Sequence, residues 1–198
     1  MTRTAAKYPT HPIRTGLLLG LSALMHFPVT AGWLAPPDGE PIAPIGPPIE
    51  PPAAVPDEAR VALGERLFHD PRLSHGDRVA CAACHDLEQG GDDGRVRSVS
   101  ANGEALTFNT PTVFNVALNF RLNWRGNFRT LQEHNEAVLL DDALMSTSWD
   151  ELLPKLRADP EFSQDFVAAY RAPPSRETVL DALAAYQRSL ATPDAPFD

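Results

Sequence analysis

From residue 57 onward, apolar residues recur at helical spacing, and no stretch shows the strict alternation of a β-strand. The clearest case is the last one, where Val179, Leu183, Tyr186 and Leu190 follow a capping serine at Ser175. Similar patterns predict further helices that start near residues 57, 110, 130, 148 and 159. The pattern therefore predicts a mainly α-helical protein.

Prolines refine three of these helices. Thr110 followed by Pro111 is a cap-then-proline sequence, which is typical of a helix start. Pro154 should kink or shorten the helix that begins after Ser148, because proline cannot donate the backbone hydrogen bond that a helix interior needs. Asp159 precedes Pro160 and opens a helix with an apolar stripe made of Phe162, Phe166, Val167 and Tyr170.

The segment between residues 90 and 108 shows no periodic pattern. Glycines at 90, 91 and 94 end any preceding helix, and residues 95–108 are predicted to form an irregular loop. A loop of this length usually has a function or is ordered by a ligand. We therefore expect the helices to pack around a bound ligand as well as around their own side chains.

The first 56 residues have a different composition. A basic start, an apolar run at 17–25 and small residues at 30–32 are typical of a secretory signal peptide over residues 1–32. An uncleaved membrane anchor is the alternative, although the run is short of the ~20 residues that span a bilayer. Residues 33–56 are rich in proline and predict a semi-rigid linker. We therefore expect a periplasmic protein whose single domain is residues 57–198.

The net charge of −9 excludes one class of partner. Nucleic-acid binding needs a basic face that neutralises phosphates, so we expect no nucleic-acid partner. The acidity permits electrostatic steering of a basic redox partner, or it serves only to keep an exported protein soluble.

Both cysteines of the chain fall in one five-residue string, Cys81-Ala82-Ala83-Cys84-His85. This C-x-x-C-H string is typical of covalent attachment of a c-type haem. The two thiols add to the haem vinyl groups, and the histidine offers its imidazole to the iron as proximal ligand. The alternatives are a thioredoxin-like motif, half of a zinc site, or a Cys81–Cys84 disulfide in the apoprotein. The first lacks a βαβ pattern and the second lacks further cysteines.

Several strings around this motif resemble the N-terminal domain of bacterial di-haem cytochrome c peroxidases and their MauG-type relatives. They occur in one order and cover residues 57 to 198: 63–74, 81–85, 109–115, Trp124, Met145 and 192–198. The resemblance implies a cytochrome c-like helical domain with long loops around one covalently bound haem c. It also implies that this haem reduces hydrogen peroxide with electrons received from a second haem domain.

The resemblance also implies roles for individual residues. His85 would be the proximal iron ligand, and Trp124 would match the tryptophan between the two haems of the family. Asn109 would match a ligand of a calcium ion at the domain junction. Electrons would come from a small donor protein of the cytochrome c or cupredoxin type.

The chain departs from the family at the positions expected on the distal side of the haem. Ala101 stands where many members carry a removable histidine ligand, and Leu144 stands where the family has a distal glutamate. Cleaving peroxide requires proton transfer between its oxygens, which leucine cannot perform. His134 stands at the distal glutamine position and is therefore the candidate proton shuttle, or alternatively a ligand that blocks the iron. Met145 is either a sixth ligand or a packing residue.

Two functions follow as expectations. The first is a haem peroxidase in which His134 and Trp124 assist the reduction of hydrogen peroxide by an external donor. The second is a mono-haem electron-transfer cytochrome, or one half of a split or truncated di-haem peroxidase, because the sequence has no second C-x-x-C-H string.

Overall fold

The computed structural model describes residues 57–192. The signal peptide and the whole proline-rich linker predicted from the sequence lie outside the described residues, as do the last six residues. Five α-helices form: α1 Glu58–Phe68, α2 Leu131–Leu140, α3 Trp149–Ala158, α4 Pro160–Tyr170 and α5 Arg176–Ser189. Between α1 and α2 the chain makes only short 3-10 turns and isolated bridges, so the described part contains no β-strand. The mainly helical prediction is confirmed.

Side-chain caps explain where the helices begin. Asp57 accepts a hydrogen bond from the Ala59 amide at the start of α1, and Thr130 and Ser175 form capping boxes at the starts of α2 and α5. Such caps satisfy backbone donors that the first helical turn leaves without partners. Ser148 and Asp159 cap α3 and α4 in the same way. All five of these predicted starts are confirmed.

The core forms where α1 lies directly on α5. A Cβ atom at Gly64 would overlap the carbonyl oxygen of Ala182 and lie 2.7 Å from the Cβ of Tyr186. The absence of a side chain therefore lets the two backbones approach closely. Fully buried side chains from α1, α3, α4 and α5 fill the surrounding space, among them Leu67, Leu156, Phe166 and Leu183.

The prediction of a helix that starts at Thr110-Pro111 is wrong. Residues 109–113 are irregular, and only a 3-10 turn at Val116–Leu118 follows. The Thr110 hydroxyl pairs with the buried Ser98 hydroxyl at 2.5 Å instead of capping a helix. Asn115 has a φ of 58°, which interrupts any helical run. Contacts made across the loop therefore override the local helix-start signal.

Two details of the later helices also differ from expectation. α3 continues through Pro154 to Ala158, so the predicted shortening is wrong. Leu152 and Leu156 are fully buried on either side of the proline and hold the helix against the core. In α4, Val167 is exposed, and the buried positions are Phe162, Phe166 and Ala169.

No described helix is both long enough and apolar enough to cross a bilayer.

Candidate haem site

The cysteine motif lies on a tight turn. Cys81–Ala83 form a 3-10 helix, and the amides of Cys84 and His85 both donate to the Cys81 carbonyl, at 3.1 and 3.0 Å. The turn therefore holds both thiols and the imidazole within one short stretch of backbone. Both cysteines are free thiols and partly buried.

Burial keeps the two thiols neutral. It raises the pKa of Cys81 to about 12, and burial together with the nearby Asp93 carboxylate raises the pKa of Cys84. Addition of a thiol to a vinyl group conserves all atoms and leaves an uncharged thioether, which this partly apolar setting accepts. The cysteine pair therefore fits covalent capture of haem c better than thiolate metal binding.

The imidazole of His85 is oriented by a backbone carbonyl. Its Nδ1 lies 3.1 Å from the oxygen of Gly91, which identifies Nδ1 as the protonated nitrogen and leaves Nε2 with a free lone pair. Burial lowers the pKa of His85, so the ring stays neutral near pH 7. A neutral imidazole with one nitrogen held by a carbonyl is the usual form of a histidine that ligates a metal.

Gly91 was not singled out from the sequence, where it served only as part of a glycine-rich break. Its φ of +75° turns the carbonyl toward His85, and the same oxygen accepts the Val113 amide at 3.1 Å. A Cβ atom at this position would lie 2.9 Å from both Phe114 Cδ2 and Thr112 Oγ1. The signal that could have identified it is a glycine pair that follows the motif histidine within six residues.

An aromatic side chain at the end of α1 packs beside the ring of His85. The buried ring of Phe68 lies 6.2 Å from the His85 ring and 5.3 Å from the Tyr186 ring, measured between centroids. Phe68 therefore connects the cysteine turn with the α1–α5 contact. The position of His85 depends on that packing.

His134 lies on α2 and is half-buried. Burial lowers its pKa, and His85 lowers it a little further when the His85 ring is protonated. The His134 ring also contacts Phe128, with centroids 5.5 Å apart. Within the described residues its side chain makes no hydrogen bond, so both ring nitrogens are available to a ligand.

Trp124 and Asn109 lie together at the protein surface. The Trp124 indole N–H donates to the Asn109 carbonyl oxygen at 2.9 Å, although 57% of the side chain is exposed. The Asn109 side chain donates to the Thr110 carbonyl at 3.5 Å, which leaves its amide oxygen without a partner among the described residues. The described residues contain no group of three or more acidic, histidine or cysteine side chains that could hold a metal ion. The calcium site at Asn109 therefore stays a prediction.

Met145 is 5% exposed and packs in the main hydrophobic cluster. This position supports the packing alternative for Met145. Its carbonyl accepts the His75 amide at 2.8 Å, which ties the loop before the cysteine turn to the segment after α2. Ala101 and Leu144 are half-buried, and neither can supply a proton or a metal ligand.

The sequence and the fold both match known proteins. A family model described as di-haem cytochrome c peroxidase matches residues 58–198. The chain is 42% identical over 161 residues to cytochrome c peroxidase Ccp of Escherichia coli. The matched region covers 80% of this chain and 33% of that protein. The chain is also 36% identical over 141 residues to methylamine utilization protein MauG of Methylorubrum extorquens, covering 70% of this chain and 40% of that protein.

Among solved structures, a MauG-like protein associated with microbial copper homeostasis superimposes with a TM-score of 0.66 and 28% identity, covering 77% of this chain and 46% of that one. The diheme peroxidase BthA from Burkholderia thailandensis has a similar fold, with a TM-score of 0.57 and coverage of 73% and 43%. The chain thus spans between a third and a half of the length of these relatives. These matches confirm the cytochrome c-like helical fold, and the chain belongs to the di-haem cytochrome c peroxidase family, whose cofactor is haem c.

Proposed function

We propose that residues 57–198 bind one haem c and reduce hydrogen peroxide to water in the periplasm, with electrons from an external protein donor. Cys81 and Cys84 would hold the porphyrin, and His85 would ligate the iron. The observation that carries this proposal is the arrangement of two neutral imidazoles. One is oriented by Gly91 for ligation, and the other is half-buried on α2 with both ring nitrogens available.

His134 is suited to move a proton. When bound, the haem iron supplies a site for peroxide and electrons for its reduction. Heterolysis requires that a proton leave one peroxide oxygen and reach the other, which then departs as water. A half-buried imidazole with a lowered pKa is neutral at pH 7, so it can accept that proton and return it. This role compensates for Leu144, which cannot move protons.

Trp124 supports the choice of partner. Its indole is fixed by the Asn109 carbonyl, yet more than half of the side chain is exposed. Phe108 and Phe120 are also exposed on the same loops, and the Arg125 guanidinium lies 5.6 Å from the centroid of the Phe108 ring. Aromatic and arginine side chains are enriched at protein interfaces. We infer that a second haem domain, or a small donor protein of the cytochrome c or cupredoxin type, contacts this surface and delivers electrons near Trp124.

The alternative function is electron transfer without catalysis. Leucine at position 144, where the family has a proton-moving glutamate, favours it. In that case the haem would only exchange electrons with its partners. One half of a split or truncated di-haem peroxidase would have the same site and would become active with the missing half.

Optical spectroscopy of the purified holoprotein separates the two functions. A peroxidase should show a high-spin ferric spectrum that changes when peroxide is added. A low-spin spectrum that peroxide leaves unchanged would establish the electron-transfer alternative. Attachment itself is tested by a pyridine haemochrome band that survives acid-acetone extraction, and this band should be lost in a Cys81→Ala/Cys84→Ala variant.

The distal role of His134 is tested by His134→Ala, with His69→Ala as the matched control. His69 is an exposed histidine at the end of α1. We expect His134→Ala to slow the reaction with peroxide by about 10² to 10⁴-fold, the usual contribution of a general acid–base group. His69→Ala should react like the wild type. Equal rates in both variants would remove His134 from the reaction.

Export and calcium binding are separate parts of the proposal. Cleavage near residue 32 would be seen as a new N-terminus of protein recovered from the periplasm. Calcium at Asn109 would be seen by elemental analysis of the purified protein, with Asn109→Ala as the variant that should lose the ion.

A further inference from the structure

The face of α2 that packs on α5 has a polar residue at its centre. Leu131 and Leu139 are buried, and Asn135 lies between them at helical spacing, with only 7% of its surface exposed. An apolar residue would be the ordinary choice there, because burying an amide without partners costs free energy. Asn135 is the residue next to His134, so whatever fixes Asn135 also fixes the backbone that carries the distal candidate.

A matching amide on α5 satisfies Asn135. Its Nδ2 donates to Gln187 Oε1 at 2.8 Å, and Gln187 Nε2 donates back to Asn135 Oδ1 at 3.0 Å. Gln187 is 8% exposed. Two reciprocal hydrogen bonds between buried amides form at one relative position of the two helices. A shift of α2 by one turn, about 5.4 Å, would break both and leave two buried amides unpaired.

The helix that carries Gln187 is itself anchored to the proximal side of the site. α5 lies on α1 at Gly64, and α1 ends with Phe68, whose ring contacts both Tyr186 of α5 and His85. Gly64, Phe68 and Tyr186 are buried in this series, and His85 is half-buried. The Asn135–Gln187 pair is therefore the buried polar connection between α5 and α2, beside the more exposed ion pair of Arg176 with Glu136.

We propose that Asn135 and Gln187 are positioning residues that set the register of α2 on α5 and thereby hold His134 at a fixed place relative to His85. Apolar side chains alone would hold α2 on the core but would select its register less sharply, as with single buried asparagines in coiled coils. This inference rests on the distal role proposed for His134. The pair would contribute to the chemistry without touching the substrate.

The test replaces both amides with leucine in the holoprotein, as Asn135→Leu/Gln187→Leu. Replacing both partners with apolar groups leaves no unpaired amide, so the variant should fold, with a melting temperature near that of the wild type. We expect an altered ferric spectrum, a displaced pH midpoint of that spectrum, and a reaction with peroxide slowed by up to about 10²-fold. Exchanging the two residues, as Asn135→Gln/Gln187→Asn, keeps an amide pair and should recover most of the rate.

The matched control is Tyr170→Phe. The Tyr170 hydroxyl donates to Asp181 at 2.9 Å and so connects α4 to α5 by another hydrogen bond. This variant should lower the melting temperature and leave the haem spectrum unchanged.

Wild-type spectra and rates in the double-leucine variant would overturn the inference, provided that His134→Ala alters them. If His134→Ala has no effect either, the proposed distal role is wrong and the inference falls with it. A spectrum that changes equally in Tyr170→Phe would also overturn it, because the effect would then follow from general destabilisation.

Discussion

The helices and the long loop segment at 95–129 are stabilised by different means. The helices supply most of the buried apolar side chains, and α1 approaches α5 closely at Gly64. The loop segment buries few side chains and leaves Phe120 85% exposed, while its turns are held by hydrogen bonds such as those of Ser98 and Trp124. The apolar core therefore lies mainly in the helices, and the loops provide the surface that we propose for partners.

Charge follows the same division. Residues 95–129 contain five arginines and one acidic residue, in a chain whose net charge is −9. The loop surface is therefore basic although the protein is acidic. Whole-chain charge permitted a basic partner or served only solubility, whereas the surface around Trp124 is better matched to an acidic partner.

The largest difference in stability between the helices and the loops is expected when a glycine is replaced by alanine. Gly64→Ala would push α1 away from the backbone of α5, and we expect a loss of at least about 3 kcal/mol in the free energy of unfolding. Gly94→Ala, in the glycine-rich loop before this segment, has open space around its Cβ and a φ of +62°, so about 1 kcal/mol is expected. Urea unfolding of the holoprotein followed by circular dichroism measures both. Equal losses would contradict the division.

Replacing a large apolar side chain with alanine should also destabilise the helices more than the loops, by a smaller margin. Leu183→Ala in α5 should cost about 2–5 kcal/mol, because Leu183 is fully enclosed by the core. Phe120→Ala should change the stability by less than about 0.5 kcal/mol. It should instead weaken association with an electron donor. A Phe120→Ala variant that unfolds like Leu183→Ala would show that the loops carry stability too.

The starts of the helices could be predicted because their caps are local. Ser175 and Thr178, for example, lie three residues apart and need no other part of the chain. The false start at Thr110 shows the limit, since its hydroxyl is bound by Ser98, twelve residues earlier. For the site, the cysteine motif identified His85, but the carbonyl of Gly91 that orients it depends on a backbone turn. The contact between His134 and Phe128 likewise depends on tertiary packing.

The pH dependence of the peroxide reaction tests His134, which lies on α2 and contacts Phe128 of the loop segment. Burial holds the pKa of His134 below its ordinary value of about 6.5. The neutral form accepts the proton, so the rate should be constant above neutral pH and fall in acid, below that lowered pKa. Stopped-flow measurements between pH 4 and 8 test this. A rate that rises in acid would contradict a proton-accepting role.

The smallest expected effect concerns an exposed ion pair network. Lys155 and His75 lower the pKa of Glu151 to about 2, against 4.5 ordinarily. A carboxylate whose pKa is lower in the folded state stabilises the fold above the ordinary value. This contribution is lost as the pH falls from about 4.5 to about 2. Glu151→Gln should therefore lower the melting temperature slightly at pH 7 and not at pH 2. A larger loss at pH 2 than at pH 7 would contradict this assignment.

The shared carbonyl of Gly91 has a consequence for electron affinity. Because this oxygen also accepts the Val113 amide, it draws less strongly on the Nδ1 proton of His85 than an unshared carbonyl would. An imidazole held in this way would have less anionic character and would give less electron density to a ferric iron bound at Nε2. Ferrous iron would be relatively favoured, so we expect this hydrogen-bonding pattern to raise the midpoint potential of a haem ligated by His85.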